Sequence, residues 1–232
     1  MQKGYIESNN YVLFGKNNIV GYSNGKIYVK VIDRNLANEL IKKHHYSKKF
    51  YSASYIHLGV FDNNNKLVGV IQYGYAMNPA SAESIVSDTR KHEYLELNRL
   101  WIDDFMDKNT ASMAISCSIK YIKRAYPKIK WIQSFADERC KRFGIVYQAC
   151  SFDYYGSHES LFWEINNEFY HNSLMTRNPE LTKAAAFCQE HKDIAIKHTF
   201  RQFRYIKFLD RRYKKKCKLK EHSYPKHYYT GG

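Results

Sequence analysis

The chain is short of acidic residues, of paired cysteines and of long apolar runs, and each shortage removes a class of protein. Against 37 lysines and arginines stand only 22 aspartates and glutamates, a formal net charge of +15. That excess goes beyond what solubility needs and makes a polyanion the leading partner. The five cysteines (Cys117, Cys140, Cys150, Cys188 and Cys217) are odd in number, widely spaced and include no C-x-x-C pair. A disulfide framework and a zinc site are thereby excluded, and reduced thiols are expected. No apolar run approaches the length of a transmembrane helix, and residues 1–5 lack the hydrophobic stretch of a signal peptide. The expectation is a cytoplasmic protein with no membrane partner.

What is present is ample core material. With 232 residues, 44% of them hydrophobic, the chain is long enough for one large domain or for one domain with an extension. Aromatics reach 16%, including 21 tyrosines, which serve either a tyrosine-rich core or base stacking.

Residues 93–126 organise the rest and read as strand, loop, helix. The run 93–102, EYLELNRLWI, is apolar on both parities, as in a strand covered on both faces. Strict alternation puts Leu95, Leu97, Arg99 and Trp101 on one face and Glu96, Asn98, Leu100 and Ile102 on the other. A guanidinium there costs several kcal/mol unless it is paired or faces a ligand. Arg99 is therefore expected either to pair with Glu96 or Asp137 or to hold a bound group. Downstream, Asn109, Thr110, Ala111 and Ser112 open a helix whose stripe is Ala111, Ala114, Ile115, Ile119, Ile122 and Ala125, stopped by Pro127. A helix N-terminus after a strand is a ready anion site, because its first amides lack partners.

Elsewhere, residues 26–32 alternate as a first strand, and Asp33 caps a helix from Arg34 to about His44 with Leu36, Leu40 and Ile41 as its buried stripe. Residues 55–61 and 67–73 flank an Asp-Asn-Asn-Asn-Lys turn and predict a hairpin. Residues 76–91 read as a loop with one short helical turn, 131–136 as a strand ending at Asp137, 145–150 as a short helix, and part of 152–163 as a last core strand. Residues 179–197 read as a helix. Residues 200–209 interleave aromatics and cations, and a basic run follows to Lys220. These expectations place a core over residues 1–165 and a basic C-terminal extension over 166–232 that packs on it, with a flexible tail after about 220.

The element order β-α-β-β-β-α-β-α-β resembles the acetyl-coenzyme-A-dependent N-acyltransferase (GNAT) fold, an α/β (α+β) architecture with a central mixed sheet flanked by helices. In that fold the central strand splays from its neighbour and the following helix N-terminus holds the coenzyme pyrophosphate. The usual glycine-rich loop is absent here, replaced by residues 103–110 with their carboxylates. More specifically, HHYS (44–47), LVG (67–69), ELNRL (96–100), NTAS (109–112), SFAD (134–137) and GIVYQA (144–149) together resemble the Mom family of bacteriophage DNA-modification proteins. The resemblance spans roughly residues 34–209.

It implies an enzyme that converts adenine N6 in DNA to N6-carbamoylmethyladenine in the host bacterial cytoplasm, protecting phage DNA from restriction. It also implies functional roles for His45, Tyr46, Arg99, Asp137 and Tyr147, with acetyl-CoA bound by Leu100, Trp101, Asn109, Thr110, Ala111 and Ser112. On this view Asp137 orients or deprotonates N6, Tyr147 protonates a leaving thiolate, and Arg99 holds a phosphate or the acyl carbonyl. The plainer roles are an ion pair for Asp137 and Arg99 and packing for Tyr147. Some family accounts involve iron, for which His45, Tyr46 and Asp137 offer nitrogen and oxygen donors, although the chain has no metal-ligand spacing of its own.

Double-stranded DNA is the expected macromolecular partner, bound through phosphates by Arg201, Arg204, Lys207, Arg211, Arg212, Lys214, Lys215 and Lys216. A duplex base reaches a buried pocket only when flipped out, and Tyr46, Tyr51 or Tyr55 offers a ring to stack on it. A homodimer is left open. So are two other readings: an N-acetyltransferase of a protein, RNA or small amine, and a DNA-binding protein without activity on the same scaffold.

Overall fold

The structure, a computed structural model, describes residues 19–23, 25–141 and 143–226. Among these described residues, nine strands form one sheet in the order β1-β2-β3-β4-β5-β6-β9-β7-β8. Its only parallel pair is β5 (Tyr94–Ile102) with β6 (Trp131–Asp137). The mixed sheet expected from the sequence is present.

Local chemistry accounts for the first half. Strand β1 (Ile19–Ser23) pairs with β2 (Ile27–Val31), and residues 1–18 lie outside the described residues. Helix α1 (Arg34–His44) starts where Asp33 Oδ1 accepts from the amides of Asn35 and Leu36 at 2.7 and 3.2 Å. Such a cap contributes about 1 kcal/mol. The helix buries Ala37 and Ile41 against Val70 and Trp101, while Leu36, expected in the stripe, is exposed. Strands β3 (Ser54–Asp62) and β4 (Leu67–Gly74) form the expected hairpin. Asp62 Oδ1 closes its turn on the amides of Asn64 and Lys66 at 2.9 and 2.8 Å, and Asn65 takes the left-handed φ of 62° that the turn requires.

Strand β5 pairs with β4 from Glu96 to Ile102 but with β6 only over Tyr94, Leu95 and Glu96. Beyond Glu96 and Gln133 the two strands part, and β6 continues against β9 alone. A bulge interrupts β5 at Asn98: Gln72 faces Arg99 but Tyr73 faces Leu97. Parity therefore flips there, and the alternation expected from sequence does not hold. Leu95 and Leu97 share one core with Leu100 and Ile102, under helix α3 (Thr110–Ala125) with Ile115, Ile119 and Ile122. Trp101, and Arg99 with it by parity, belongs to the opposite face, beside α1.

The second half departs from the expected boundary. Strand β9 (Ile196–Phe208) lies between β6 and β7 (Asp153–Ile165), so residues after 165 supply an interior strand of the sheet and no division at 165/166 separates core from extension. The helix expected over 179–197 is limited to α6 (Lys183–Glu190) between two short 3-10 turns, because β9 begins at Ile196. With β8 (Glu168–His171) and α5 (Asn172–Met175), α6 encloses a small core of Ile165, Met175 and Cys188. Nor is the segment just after 220 a loose tail. Following α7 (Arg211–Lys214), the His222 amide bonds to Tyr154 O at 2.9 Å and the Tyr224 hydroxyl to Phe152 O at 2.9 Å. Tyr213, Cys217 and Leu219 pack on Trp131, Ile206 and the short helix α2 (Ala82–Ile85). Residues 227–232 lie outside the described set.

Candidate active site

The site follows from where β5 and β6 part. On the face opposite α3, the register puts Glu96 of β5 level with Gln133 of β6, and Phe135 and Asp137 follow on that same face by alternation. Cross-strand from them, β9 contributes Arg204 opposite Phe135 and Gln202 opposite Asp137. This stretch lies between the α1 core and the α2 core, and it carries the titratable groups.

At one end, Asp137 ends β6 with only 6% of its surface exposed. Oδ1 accepts from the backbone amide and Nε of Arg139, both at 2.9 Å, and Oδ2 from Nη2 of the same guanidinium. Burial pushes this carboxyl upward, but the hydrogen bonds and charge of Arg139 override it and hold the group below the usual range. Arg139 in turn sits among the rings of Phe162, Phe169, Phe200 and Tyr46, with centroids 4.3, 5.3, 5.3 and 5.7 Å from its guanidinium carbon. The Tyr46 hydroxyl donates to Asp137 Oδ2 at 3.2 Å, although about half of that residue is exposed.

His45 ends α1 in extended backbone, buried, with its ring 4.4 Å from that of Tyr46. Its Nδ1 accepts the Ser47 amide at 3.2 Å, which assigns the ring proton to Nε2. Burial and the nearby Arg99 lower this imidazole to about 3, so it is neutral at pH 7. Arg99 does not pair with Asp137 or Glu96. Its Nε donates to Lys49 O at 2.7 Å and Nη1 to Asn98 O at 2.6 Å, with the Tyr51 ring 5.9 Å away. The ion pair expected between Arg99 and Asp137 is thus replaced by Asp137 with Arg139, two residues along the chain.

At the other end, Glu96 sits where the strands part. It accepts from Gln133 Nε2 at 2.9 Å and Asn98 Nδ2 at 3.2 Å, both neutral donors. Asn98 is itself bound by Ser54 Oγ at 2.9 Å, and Gln133 Oε1 accepts from Arg204 at 3.3 Å. Burial pushes the Glu96 carboxyl up to about 7 against the pull of those hydrogen bonds. From the sequence, Glu96 figures only as a partner for Arg99. Its signal is visible there all the same: a carboxylate within a strand apolar on both faces.

Tyr147, in α4 (Ile145–Ala149), is on the other side of the sheet, packed on Phe152 and Tyr205 within the α3 core. Burial pushes its hydroxyl up to about 12, with Ser134 as a hydrogen-bonding neighbour. Ser134 Oγ donates to Leu97 O at 3.2 Å, across the gap between β6 and β5. The structure therefore brings His45, Tyr46, Arg99 and Asp137 together on one face and places Tyr147 on the opposite one, with the gap between the strands joining them.

Of the residues expected to hold the coenzyme, Leu100 packs in the α3 core and Trp101 beside α1, stacked on His44 at 4.2 Å. Asn109 and Thr110 start α3. Thr110 is buried, its amide held by Asp107 O at 2.9 Å, and Ser112 Oγ turns back to Asn109 O at 2.9 Å. The first-turn amides of Ala111 and Ser112 remain as anion donors.

For a metal, the donors do not fit as arranged. Both Asp137 oxygens are taken by Arg139, and His45 Nδ1 by Ser47. Among the described residues no group of three or more His, Cys, Asp or Glu side chains could hold one, so the iron suggested by resemblance has no support here.

The basic residues are largely engaged within the fold. Arg201 pairs with Glu138 at 2.9 Å, Arg212 with Asp210 at 2.7 Å, Lys216 with Asp88 at 2.9 Å, and Lys214 with both Asp153 and Glu221 at 3.0 Å. Arg204 lies over Phe135, and Lys207 Nζ bonds to the carbonyls of Cys150 and Ser151 at 3.0 and 2.8 Å. Arg211 and Lys215 are exposed. The five cysteines are free, as expected, and no described helix is long and apolar enough to cross a membrane.

Comparison with known proteins bears on the fold and on the family. Among solved structures, Arabidopsis thaliana NAA60 in complex with acetyl-CoA superposes with a TM-score of 0.52 at 13% identity, over 79% of this chain and all of that one. The same protein with a bisubstrate analogue gives 0.51 at 12% identity, over 78% and 97%. The fold is thus that of the GNAT acetyltransferases. In sequence, the chain is 45% identical over 202 residues to the methylcarbamoylase Mom of Escherichia phage Mu, covering 87% of this chain and 83% of that protein. Residues 26–226 match the profile of the Mom protein family, and with a relative this similar along nearly the whole length, the chain belongs to that family.

Proposed function

We propose that the protein is a DNA-modifying transferase that installs a carbamoylmethyl group on adenine N6, drawing on a coenzyme A thioester and shielding phage DNA from restriction. The observation that carries this reading is the 45% identity to a methylcarbamoylase along almost the whole chain. The geometry supports it with a two-sided site. A thioester would enter on the α3 side, its phosphates at the amides of Ala111 and Ser112. Its sulfur end would reach the gap near Ser134 and Tyr147. The acceptor would come to the opposite face, between Glu96 and Asp137, which a duplex adenine reaches only when flipped.

The thioester supplies an activated carbonyl and an acidified neighbouring methylene. Attack of N6 on the carbonyl alone would end in an amide there, whereas the carbamoylmethyl product joins N6 to a methylene, so simple acyl transfer is not the whole reaction. Any route must still take a proton from N6 as the new bond forms. Glu96 suits that task better than Asp137. Its pKa of about 7 matches neutral pH, and only neutral amides hold it, whereas Asp137 is tied to Arg139 and is a weak base. Asp137 and Tyr46 then serve to position the base, His45 donates from Nε2 as a neutral imidazole, and Arg99 lines the wall.

Mass spectrometry of nucleosides from DNA of cells expressing the chain tests the proposal. Deoxyadenosine heavier by a carbamoylmethyl group is expected. An acetyl increment instead, or unmodified DNA with acetylated RNA or protein, would favour an ordinary N-acetyltransferase. DNA that is tightly bound but unmodified would favour a binding scaffold, a reading encouraged by the carboxylates at 103, 104 and 107 in place of a glycine-rich loop.

A further inference from the structure

We infer that the surface contacting DNA phosphates is the rim of the acceptor mouth, built from Lys42, Lys43 and Lys48 on the α1–β3 segment and Lys141 on the β6–α4 turn, and not the C-terminal basic run. The inference rests on DNA being the substrate.

Several independent observations point there. Of the eight C-terminal cations expected to bind phosphate, Arg201, Arg212, Lys214 and Lys216 are paired in place with Glu138, Asp210, Asp153, Glu221 and Asp88. Arg204 lies over Phe135, Lys207 is held by two carbonyls, and the segment after β9 is a packing element against Trp131 and Ile206. In contrast, residues 42–50, KKHHYSKKF, hold four lysines and no acid. Lys42, Lys43 and Lys48 are all exposed, and none makes an ion pair among the described residues. Only Lys49 is spoken for, by Glu168 at 3.5 Å and Phe169 O at 2.8 Å. Lysines in the last turn of a helix also complement its dipole, which accounts for Lys42 and Lys43 in part. That argument does not reach Lys48 or Lys141.

These two lie outside helices at left-handed φ values of 47° and 53°, conformations that favour glycine or asparagine. Their loops meet, because the Tyr46 hydroxyl bonds Asp137 at 3.2 Å, with Lys48 two residues beyond one partner and Lys141 four beyond the other. Exposed rings accompany the cations: Tyr46, and Phe50 with Lys42 Nζ 5.0 Å from its centroid. Tyr55 packs against the α3 core and Tyr51 lies by Arg99, so Tyr46 is the exposed ring among the three considered for stacking. Cations beside exposed rings at the opening of a base-modifying site match the backbone of a duplex whose flipped base enters between Glu96 and Asp137.

The test is the salt dependence of binding of the full chain to a labelled duplex, read by fluorescence anisotropy. Removing one lysine that neutralises a phosphate should lower the magnitude of the log–log slope by about 0.9. The variant Lys42→Ala/Lys43→Ala/Lys48→Ala should therefore give up as much as about 2.7 of slope. Its arginine counterpart, with Arg at the same three positions, should keep the slope, which separates charge from folding. Arg211→Ala/Lys215→Ala/Lys218→Ala/Lys220→Ala should change it by less than the increment of a single phosphate. A rim variant that melts normally and keeps the full slope, with the C-terminal variant losing it, would overturn the inference and leave the substrate reading intact. No binding of duplex DNA by the wild type, or tighter binding to RNA or anionic vesicles, would overturn both.

Discussion

Two carboxylates face the same side of the sheet under opposite conditions. Glu96 is level with Gln133, four residues before Asp137 on β6, roughly 13 Å at the usual rise per strand residue. Asp137 sits at the strand end, wrapped by a guanidinium that is itself held among four rings. Glu96 sits at the root of the gap, wrapped by two side-chain amides. The first is locked as an anion and the second is poised between states at pH 7. Burial raises both carboxyls; the directly bonded Arg139 guanidinium overrides it at Asp137, whereas at Glu96 the two amides and the charges of Arg99 and Arg204 do not.

The comparison breaks most sharply at Glu96→Gln. The amide keeps the shape and can stay bonded to Asn98 or Gln133, yet removes the base, so modified deoxyadenosine should fall about a hundredfold to ten-thousandfold. Wild-type activity should show an acid limb near pH 7, from protonation of the carboxyl at about 7. Stability carries the opposite sign. A carboxyl raised in the folded state contributes stability at pH below its ordinary 4.5 that is lost as pH rises to about 7. The variant should therefore melt above the wild type at pH 8 and lose that advantage by pH 5. His45 runs the other way: lowered to about 3, it contributes stability above pH 6.5 that is lost as pH falls. A variant with full activity, or one melting below the wild type at pH 8, would exchange the roles of the two carboxylates.

Asp137→Asn probes the locked site. It leaves a guanidinium that is only 18% exposed without its anion, which costs about 3 to 5 kcal/mol. For a chain of this size that lowers the melting temperature by roughly 6 to 20 °C. Adding Arg139→Gln should recover part of the loss, a coupling that a double-variant cycle measures; no recovery would mean that the pair is not the unit described.

A smaller effect is expected at the bulge. Asn98→Ala removes a donor to Glu96 and to Tyr75 O and the acceptor for Ser54 Oγ, for about 1 to 3 kcal/mol, and with one fewer hydrogen bond the pKa of Glu96 should rise further. A displaced acid limb in the activity profile checks it. The smallest change belongs to the C-terminal run, where Arg212→Ala breaks an exposed pair with Asp210 and should shift stability by less than about 1 kcal/mol.

The amino-acid sequence by itself determined the elements that local rules govern. The β3–β4 turn follows from Asp62 and Asn65, the start of α1 from Asp33, and the α3 stripe from its 3.6-residue period. The motif order carried the family, and four of the residues it singled out, His45, Tyr46, Arg99 and Asp137, meet on one face of the sheet. What only the tertiary structure decided are non-local or parity-breaking features. One unpaired residue at Asn98 reversed which side chains share a face, and no alternation rule reports such a bulge in advance. The place of β9 inside the sheet depends on pairings made with β6 and β7 far along the chain, so the basic stretch that looked like an appendage became a core strand and its clamp. The partner of Asp137 lay two residues away, but choosing Arg139 over Arg99 required knowing that Arg99, although the β5 bulge brings it to the same face, is taken there by the carbonyls of Lys49 and Asn98. The Glu96 carboxyl is raised because the fold buries it at the root of the gap with only neutral amides bonded to it, an environment that exists in three dimensions and not in the string of letters.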